Sequence, residues 1–293
     1  MMDAAWEQVL KGRSRQNGAY AASKFTFFDN YLPPAYSVTK KKRTRHYVDL
    51  FAGPGVWNDP AGTRHLGSPL KVLSLSSARR YGHGFTEAFL VNKSLADHEA
   101  LTRRVDLMVE EGLINIPRAR IHTLHGDANL AIPSILSRIH KKSWVFVYSD
   151  IEKPNHWPFR SVEALRAQGH SSIDLYMLFP LQMAIRRILG FSASHPDAIS
   201  RFYGSEEWRQ IVDRTPTSSQ SKEFFREMEA LYAERLQSVG WTHVRRQRKV
   251  NDVGERTLYY MFFATDHPVA GALADWEGVA DGDERFRGQG ELF

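Results

Sequence analysis

The sequence predicts an α/β protein: a Rossmann-like, doubly wound, mostly parallel sheet with a C-terminal antiparallel hairpin. Three observations carry that reading. From residue 47 onward, short apolar runs alternate with segments whose apolar residues recur at helical spacing, the pattern of strands joined by right-handed helical crossovers. Two of the runs, 144–148 (WVFVY) and 173–179 (IDLYMLF), are apolar almost without interruption, as strands covered by helices on both faces must be. Near the end, 241–249 and 257–265 flank Asn251-Asp252-Val253-Gly254, a turn sequence that joins antiparallel strands.

In chain order, Phe25, Phe28 and Leu32 mark a helix over 21–36 that Pro33-Pro34 should break, followed by the basic connector KKKRTRH at 40–46. Residues 1–45 thus form an N-terminal helical extension. A strand at 47–51, a Gly/Pro-rich loop and a helix over 69–80 come next. Further strand and helix pairs follow at 88–91 with 95–111, and at 120–124 with 130–139. Segments 161–168 and 181–189 are the expected covers of the two most apolar strands, and 223–238 is a long helix. The α/β domain covers 46–275. Beyond it the chain is rich in Gly, Asp, Glu and Arg without periodicity, so 276–293 reads as a flexible tail.

Composition narrows the chemistry. Of 293 residues 42% are apolar and 12% aromatic, which is enough for a packed core and excludes a wholly disordered chain. There is no cysteine, which removes disulfides, thiolate metal sites, iron–sulfur ligation and cysteine nucleophiles. Formal charge is +6, a mild excess that permits a polyanionic partner without requiring one. The most apolar stretch, 175–191, is interrupted by Gln182, Arg186 and Arg187 and is shorter than the roughly 20 residues that span a bilayer. Asp3 and Glu7 stand where a secretory signal would be basic and then apolar. No membrane span and a cytoplasmic location are expected.

The sharpest motif is VDLFAGPGV at 48–56. A strand ends in Asp49, and Gly53 and Gly55 allow a tight turn that passes close to a nucleoside-type ligand. It is not the dinucleotide GxGxxG pattern, because Trp57 and Asn58 follow. Other candidates compete. His122, His125 and Asp127, or Asp150, Glu152 and His156, are metal-ligand types suited to a nuclease, although isolated histidines are more often surface groups, and no metal is expected. Lys40 to Arg45, and Arg245, Arg246, Arg248 and Lys249, are basic clusters able to meet nucleic-acid phosphates if they share a face, and otherwise solvated charge. Arg186, behind the Phe179-Pro180 turn, is placed to hold a substrate carboxylate or phosphate.

Taken with Gly67-Ser68-Pro69-Leu70, Gly126-Asp127-Ala128-Asn129, Phe146 to Asp150, Leu178-Phe179-Pro180 with Arg186, Tyr203-Gly204 with Trp208, and Tyr259 to Ala264, all in order, the chain resembles the three-Cys-motif partner (TcmP) family of class I S-adenosylmethionine-dependent methyltransferase-like proteins over roughly residues 24–274. The resemblance implies a seven-stranded sheet of class I methyltransferase type, S-adenosylmethionine as cofactor and a radical-SAM three-Cys-motif protein as partner. It further implies that Asp49, Phe51, Gly53, Pro54 and Gly55 border the methionine and ribose parts, that Asn92 stands where an acid grips the ribose, and that Asp127 and Ala128 lie beside the adenine. Asp150 takes the catalytic-loop position, with Glu152 or His156 as alternative proton acceptors. Asp150 and Glu152 can instead cap the helix that begins near Pro158. The family's Asp-Pro loop is replaced here by Asp150-Ile151-Glu152-Lys153-Pro154. Two functions follow: a methyltransferase of unknown acceptor, or a catalytically degenerate descendant serving as a nucleic-acid- or protein-binding subunit.

Overall fold

The computed structural model describes residues 4–17, 21–77, 84–151, 153–180, 196–214, 222–251 and 257–272. The expected cover at 181–189 and the tail at 276–293 lie outside them. Ten strands and nine helices are seen among the described residues: α1 (Ala4–Leu10), β1 (Arg15–Gln16), α2 (Ala21–Val38), β2 (Arg45–Asp49), β3 (Val56–Asn58), β4 (Arg64–Leu66), α3 (Ser68–Ser77), β5 (Glu87–Asn92), α4 (Leu95–Glu110), β6 (Ile121–His125), α5 (Ala128–Arg138), β7 (Trp144–Ser149), α6 (Phe159–Ala167), β8 (Ile173–Phe179), α7 (Pro196–Tyr203), α8 (Trp208–Arg214), α9 (Lys222–Ser238), β9 (His243–Asn251) and β10 (Thr257–Thr265). No described helix is long and apolar enough to cross a membrane.

Seven strands form the main sheet in the order β6-β5-β2-β7-β8-β10-β9. The first five are mutually parallel, and β10 runs antiparallel to both β8 and β9. The α/β, Rossmann-like, mostly parallel sheet with its closing hairpin is therefore present as expected. Strands β7 and β8 are buried at every position, which explains why they carry no polar alternation.

Helix α2 covers one face of the sheet. Phe27 stacks on Tyr176 of β8 at 3.9 Å, Phe28 meets Tyr148 of β7 edge-on at 5.0 Å, and Tyr31 packs against Phe263 of β10 at 4.8 Å. The Tyr31 hydroxyl donates to the buried Asp174 carboxylate at 2.8 Å, and so do Trp144 Nε1 at 2.6 Å and Thr265 Oγ1 at 2.5 Å. One fully satisfied carboxylate thus pins α2 to three strands. Burial pushes Asp174 above the usual carboxylate range against those three donors.

Three expectations are corrected. Pro33-Pro34 does not break the helix, which continues to Val38: each proline lacks one N–H, but Tyr31, Leu32, Ala35 and Tyr36 are all buried around them, and that packing outweighs the missing donors. The first sheet strand starts at Arg45 rather than 47, because Arg45 Nε donates to the Gly84 carbonyl at 2.7 Å and His46 is buried beside Glu87. The Gly/Pro-rich loop holds β3 and β4, which form a second, three-stranded sheet in the order β1-β3-β4 with β1 of the N-terminal segment.

That segment is fastened by Arg104 on α4, which falls in helical phase with the buried Leu101, Val105 and Met108. Its guanidinium donates to four carbonyls: Val9 at 2.8 Å, Lys11 at 2.7 Å, Arg13 at 2.6 Å and Pro54 at 2.6 Å. Arg104→Met should leave the buried acceptors, the Val9 and Pro54 carbonyls, without their donor and destabilise the protein by about 3 kcal/mol or more. Urea denaturation checks the loss, and limited proteolysis should show earlier cleavage within residues 4–17.

Candidate functional site

The carboxyl ends of β6, β5, β2 and β7 place Asp127, Asn92, Asp49 and Asp150 along one end of the sheet. Strand order reverses between β2 and β7, where Asp49 and Asp150 stand, and open α/β sheets bind ligands at that switch point.

Asp49 is fully buried. The Tyr47 and Ser68 hydroxyls both donate to its Oδ2 at 2.7 Å, and the Phe51 N–H donates to Oδ1 at 3.2 Å. Burial pushes its carboxyl up to about 6, opposed by those three donors and aided by the nearby Asp150 charge. Asp49 therefore shapes the loop from inside. Gly53 (φ 61°) and Gly55 (φ 82°) both adopt left-handed backbone. A Cβ at Gly55 would lie 2.9 Å from both Leu70 and Leu101, whereas one at Gly53 would face the Arg15 guanidinium at 3.6 Å. Phe51 meets the buried Trp157 edge-on at 6.1 Å.

Asn92 is buried, and its Nδ2 donates to the Gly53 carbonyl at 2.8 Å. This explains the residue type: a carboxylate there would oppose a carbonyl oxygen, while an amide supplies the donor. Pro54 is anchored through its carbonyl to Arg104. Asp127 caps α5, accepting from the Asn129 backbone and side-chain nitrogens at 2.9 Å each, and pairs with Lys93 at 3.1 Å. Partial burial works against its charge, but Lys93 and Asn129 outweigh it and hold the carboxyl below the usual range. Ala128 is buried behind it. A Cβ at Gly126 would meet open space, and Leu130 one turn on is exposed, so the Asp127 side of the loop is accessible.

Asp150 receives two hydrogen bonds from Lys24 Nζ, at 2.8 Å to each oxygen. Lys24 is nine-tenths buried while Asp150 keeps 28% of its side chain exposed. Beside it on β7, the Tyr148 hydroxyl and Ser149 Oγ are buried with no hydrogen-bond partner. Burial raises the Tyr148 phenol well above its ordinary value, and the Asp150 charge raises it further. His156 is exposed at the end of a turn (Pro154–His156), and its carbonyl accepts from Asn129 Nδ2 at 3.1 Å, tying the turn to the Asp127 cap. Glu152 and Arg186 lie outside the described residues.

The remaining candidates scatter. His122 pairs with Glu87 at 2.8 Å toward the amino end of β6, while His125 at the carboxyl end contacts the Lys93 carbonyl at 3.2 Å. Among the described residues no group of three or more His, Asp or Glu is arranged to hold a metal. Arg246 is engaged by Glu229 at 2.6 Å and by the face of Tyr260. Lys40 to Arg45 sits at the amino end of the sheet, away from these carboxylates.

Sequence reasoning missed Lys24, Arg15, Asp97 and Arg104. Asp97 on α4 is buried and pairs with Arg13 and, at 2.9 Å, with Arg15, which carries Arg15 over Gly53. A signal existed for two of them. Lys24 lies in helical phase with the buried Phe28, Tyr31 and Ala35, as Arg104 does with its own apolar stripe; a charged residue inside a buried stripe marks a specific partner.

No protein-family model matches the chain, and no curated protein matches it. Solved structures do. A Legionella pneumophila protein shares 9% identity, with 85% of each chain covered and a TM-score of 0.46. Trm1 of Pyrococcus horikoshii, solved with S-adenosyl-L-methionine, shares 12% identity over 87% of this chain and 57% of its own, at 0.45. An O-methyltransferase of Bacillus cereus, solved with S-adenosylhomocysteine, shares 12% over 90% and 91%, at 0.43. What the chain itself shows is an α/β sheet in the order β6-β5-β2-β7-β8-β10-β9 in which β10 alone is reversed.

Two outcomes follow from this geometry. Between pH 4 and 6 the unfolded chain has released the Asp49 proton, at its ordinary 3.8, while the folded chain keeps it to about 6. Native stability therefore falls as pH rises through that window, by about 3 kcal/mol. Urea titrations at stepped pH should show Asp49→Asn gaining on the wild type across it. Lys24→Met should lower stability by about 1–2 kcal/mol, less than for a wholly buried pair because Asp150 is partly hydrated, with Lys24→Arg closer to wild type in thermal melts.

Proposed function

We propose that the chain is an S-adenosylmethionine-dependent methyltransferase of the three-Cys-motif-partner type, cytoplasmic and working beside a radical-SAM companion. The observation that carries the methyltransferase reading is the gathering of Asp127, Asn92, Asp49 and Asp150 at adjacent strand ends around the switch point. The companion rests on the ordered motifs.

The residues suit the cofactor. The unpartnered Tyr148 and Ser149 hydroxyls are buried polar groups beside Asp150, and the space past Gly126 leaves the Asp127 side open. In this reading Asp127 and Ala128 border the adenine, the carbonyl oxygen of Asn92 accepts from a ribose hydroxyl, and Phe51, Gly53, Pro54 and Gly55 form the floor under the methionyl part. Asp49 acts by holding that floor. Bound S-adenosylmethionine supplies a methyl group on a sulfonium, already electrophilic. The chain's task is then positioning. Asp150, kept in place by Lys24, orients the acceptor through the lone pairs that Lys24 leaves unused. The acceptor proton passes to Asp150 or to His156 or Glu152, and Arg186 holds an anionic part of the acceptor.

A second reading has its own support. Asp49, the Asn92 amide and the Gly53 and Pro54 carbonyls are all engaged within the chain, and Lys24 covers Asp150. That is the condition of a degenerate methyltransferase fold acting as a binding subunit for nucleic acid or protein.

Calorimetric titration with S-adenosylmethionine and S-adenosylhomocysteine separates the two. The enzyme reading expects micromolar binding, about 8 kcal/mol, weakened at least ~10-fold in Asp127→Ala and retained in Asp150→Asn. No heat from folded wild type with either ligand rejects it in favour of the binding subunit.

A further inference from the structure

The basic connector meets a second pair of cations that the sequence does not place beside it. Trp144 N–H donates to the Thr44 carbonyl at 3.2 Å and the Thr44 and Ser143 hydroxyls are 2.6 Å apart, so residues 40–43 and 141–142 border each other at the amino ends of β2 and β7. Lys42 also lines a cavity of about 50 Å³ with Trp144 and Ser172, next to the turn that carries Lys141. Lys40, Lys41, Arg43, Lys141 and Lys142 are exposed and Lys42 is half-buried. Among the described residues none of the six has a carboxylate partner; Lys141 reaches only the Gln168 side-chain oxygen, at 3.5 Å. Six cations on two adjoining segments, with no carboxylate partner among the described residues, make this end of the sheet a positive patch.

We propose that this end of the sheet is a docking face for duplex nucleic acid, held through backbone phosphates without sequence readout. Lysines and an arginine on two neighbouring turns suit repeated phosphates. Binding of single strands by stacking needs exposed aromatic platforms, and the aromatic rings here, Tyr36 and Trp144, are buried. The face lies across the sheet from Asp150: β2 is five residues long, about 16 Å at 3.3 Å per residue. It is an anchor separate from the methyl-donor site, and it stands whether or not the chain transfers methyl groups.

Fluorescence anisotropy with a labelled duplex of mixed sequence tests it, with salt varied between about 50 and 200 mM. Engagement of most of the six cations gives a slope of log affinity against log salt of about −4 to −5. Lys40, Lys41 and Arg43 all changed to Glu should weaken binding at least ~10-fold and flatten the slope by about 3. Lys141 and Lys142 changed to Glu should do the same in smaller measure, both with wild-type melting temperatures and unchanged calorimetry toward S-adenosylmethionine. A slope near zero, or variants that bind duplex as the wild type does, overturns the proposal. So does tighter, variant-sensitive binding to phosphatidylserine vesicles than to duplex, which assigns the face to a lipid surface.

Discussion

The architecture depends on one buried guanidinium. Arg104 is taken out of water by its place on the inner face of α4, and burial with two neighbouring arginines lowers it to about 10. Among the described residues no carboxylate answers it; four backbone carbonyls do. A planar fork with five donors can serve carbonyls on several sides at once, which an ammonium cannot. Three of the four belong to the N-terminal segment and the fourth to Pro54 of the glycine loop, so one side chain sets the position of the loop and of the strand laid against it. Gly53, Asn92 and Arg15 then find their places by default.

A common electrostatic logic runs along the sheet's carboxyl end. Each acid has compensating groups: Asp97 has Arg13 and Arg15, Asp127 has Lys93, Asp150 has Lys24, and Asp49, against its burial, has the Tyr47 and Ser68 hydroxyls in place of a cation. Three of those compensating residues come from the first 24 positions. The N-terminal segment is thus part of the site's charge balance and not an appendage to it, and this is where the chain departs most from the simple picture of a sheet with helices on each side.

What the sequence made legible was whatever leaves a periodic or compositional trace. The apolar blocks 144–148 and 173–179 became β7 and β8 nearly to the residue, because strands buried on both faces admit no polar interruption. The pairing of 241–249 with 257–265 was legible from the turn sequence between them and the strand ends at Asp49 and Asp150 from the apolar runs before them, whereas Asn92 and Asp127 were placed by the resemblance to a known family. Pairings across long separations were not: nothing local distinguishes Lys24 from other helix lysines until its phase with Phe28 and Tyr31 is counted. Pro33-Pro34 misled because helix propensity is a local quantity, and here tertiary burial decided. Strands of two and three residues such as β1 and β3 leave no periodicity at all.

The covering helix α2 carries a consequence for how the chain is made. Its contacts lie far ahead in sequence: Lys24 waits 126 residues for Asp150 and Tyr31 waits 143 for Asp174. At 5–20 residues per second of synthesis those intervals are about 6–29 s. Over that time Phe27, Phe28 and Tyr31 have left the ribosome before the strands they pack on exist. A nascent chain of this topology holds an aromatic helix face without its sheet for most of its own synthesis, which makes it a client for chaperones that shield such faces, and places final closure of the fold after β10 is complete.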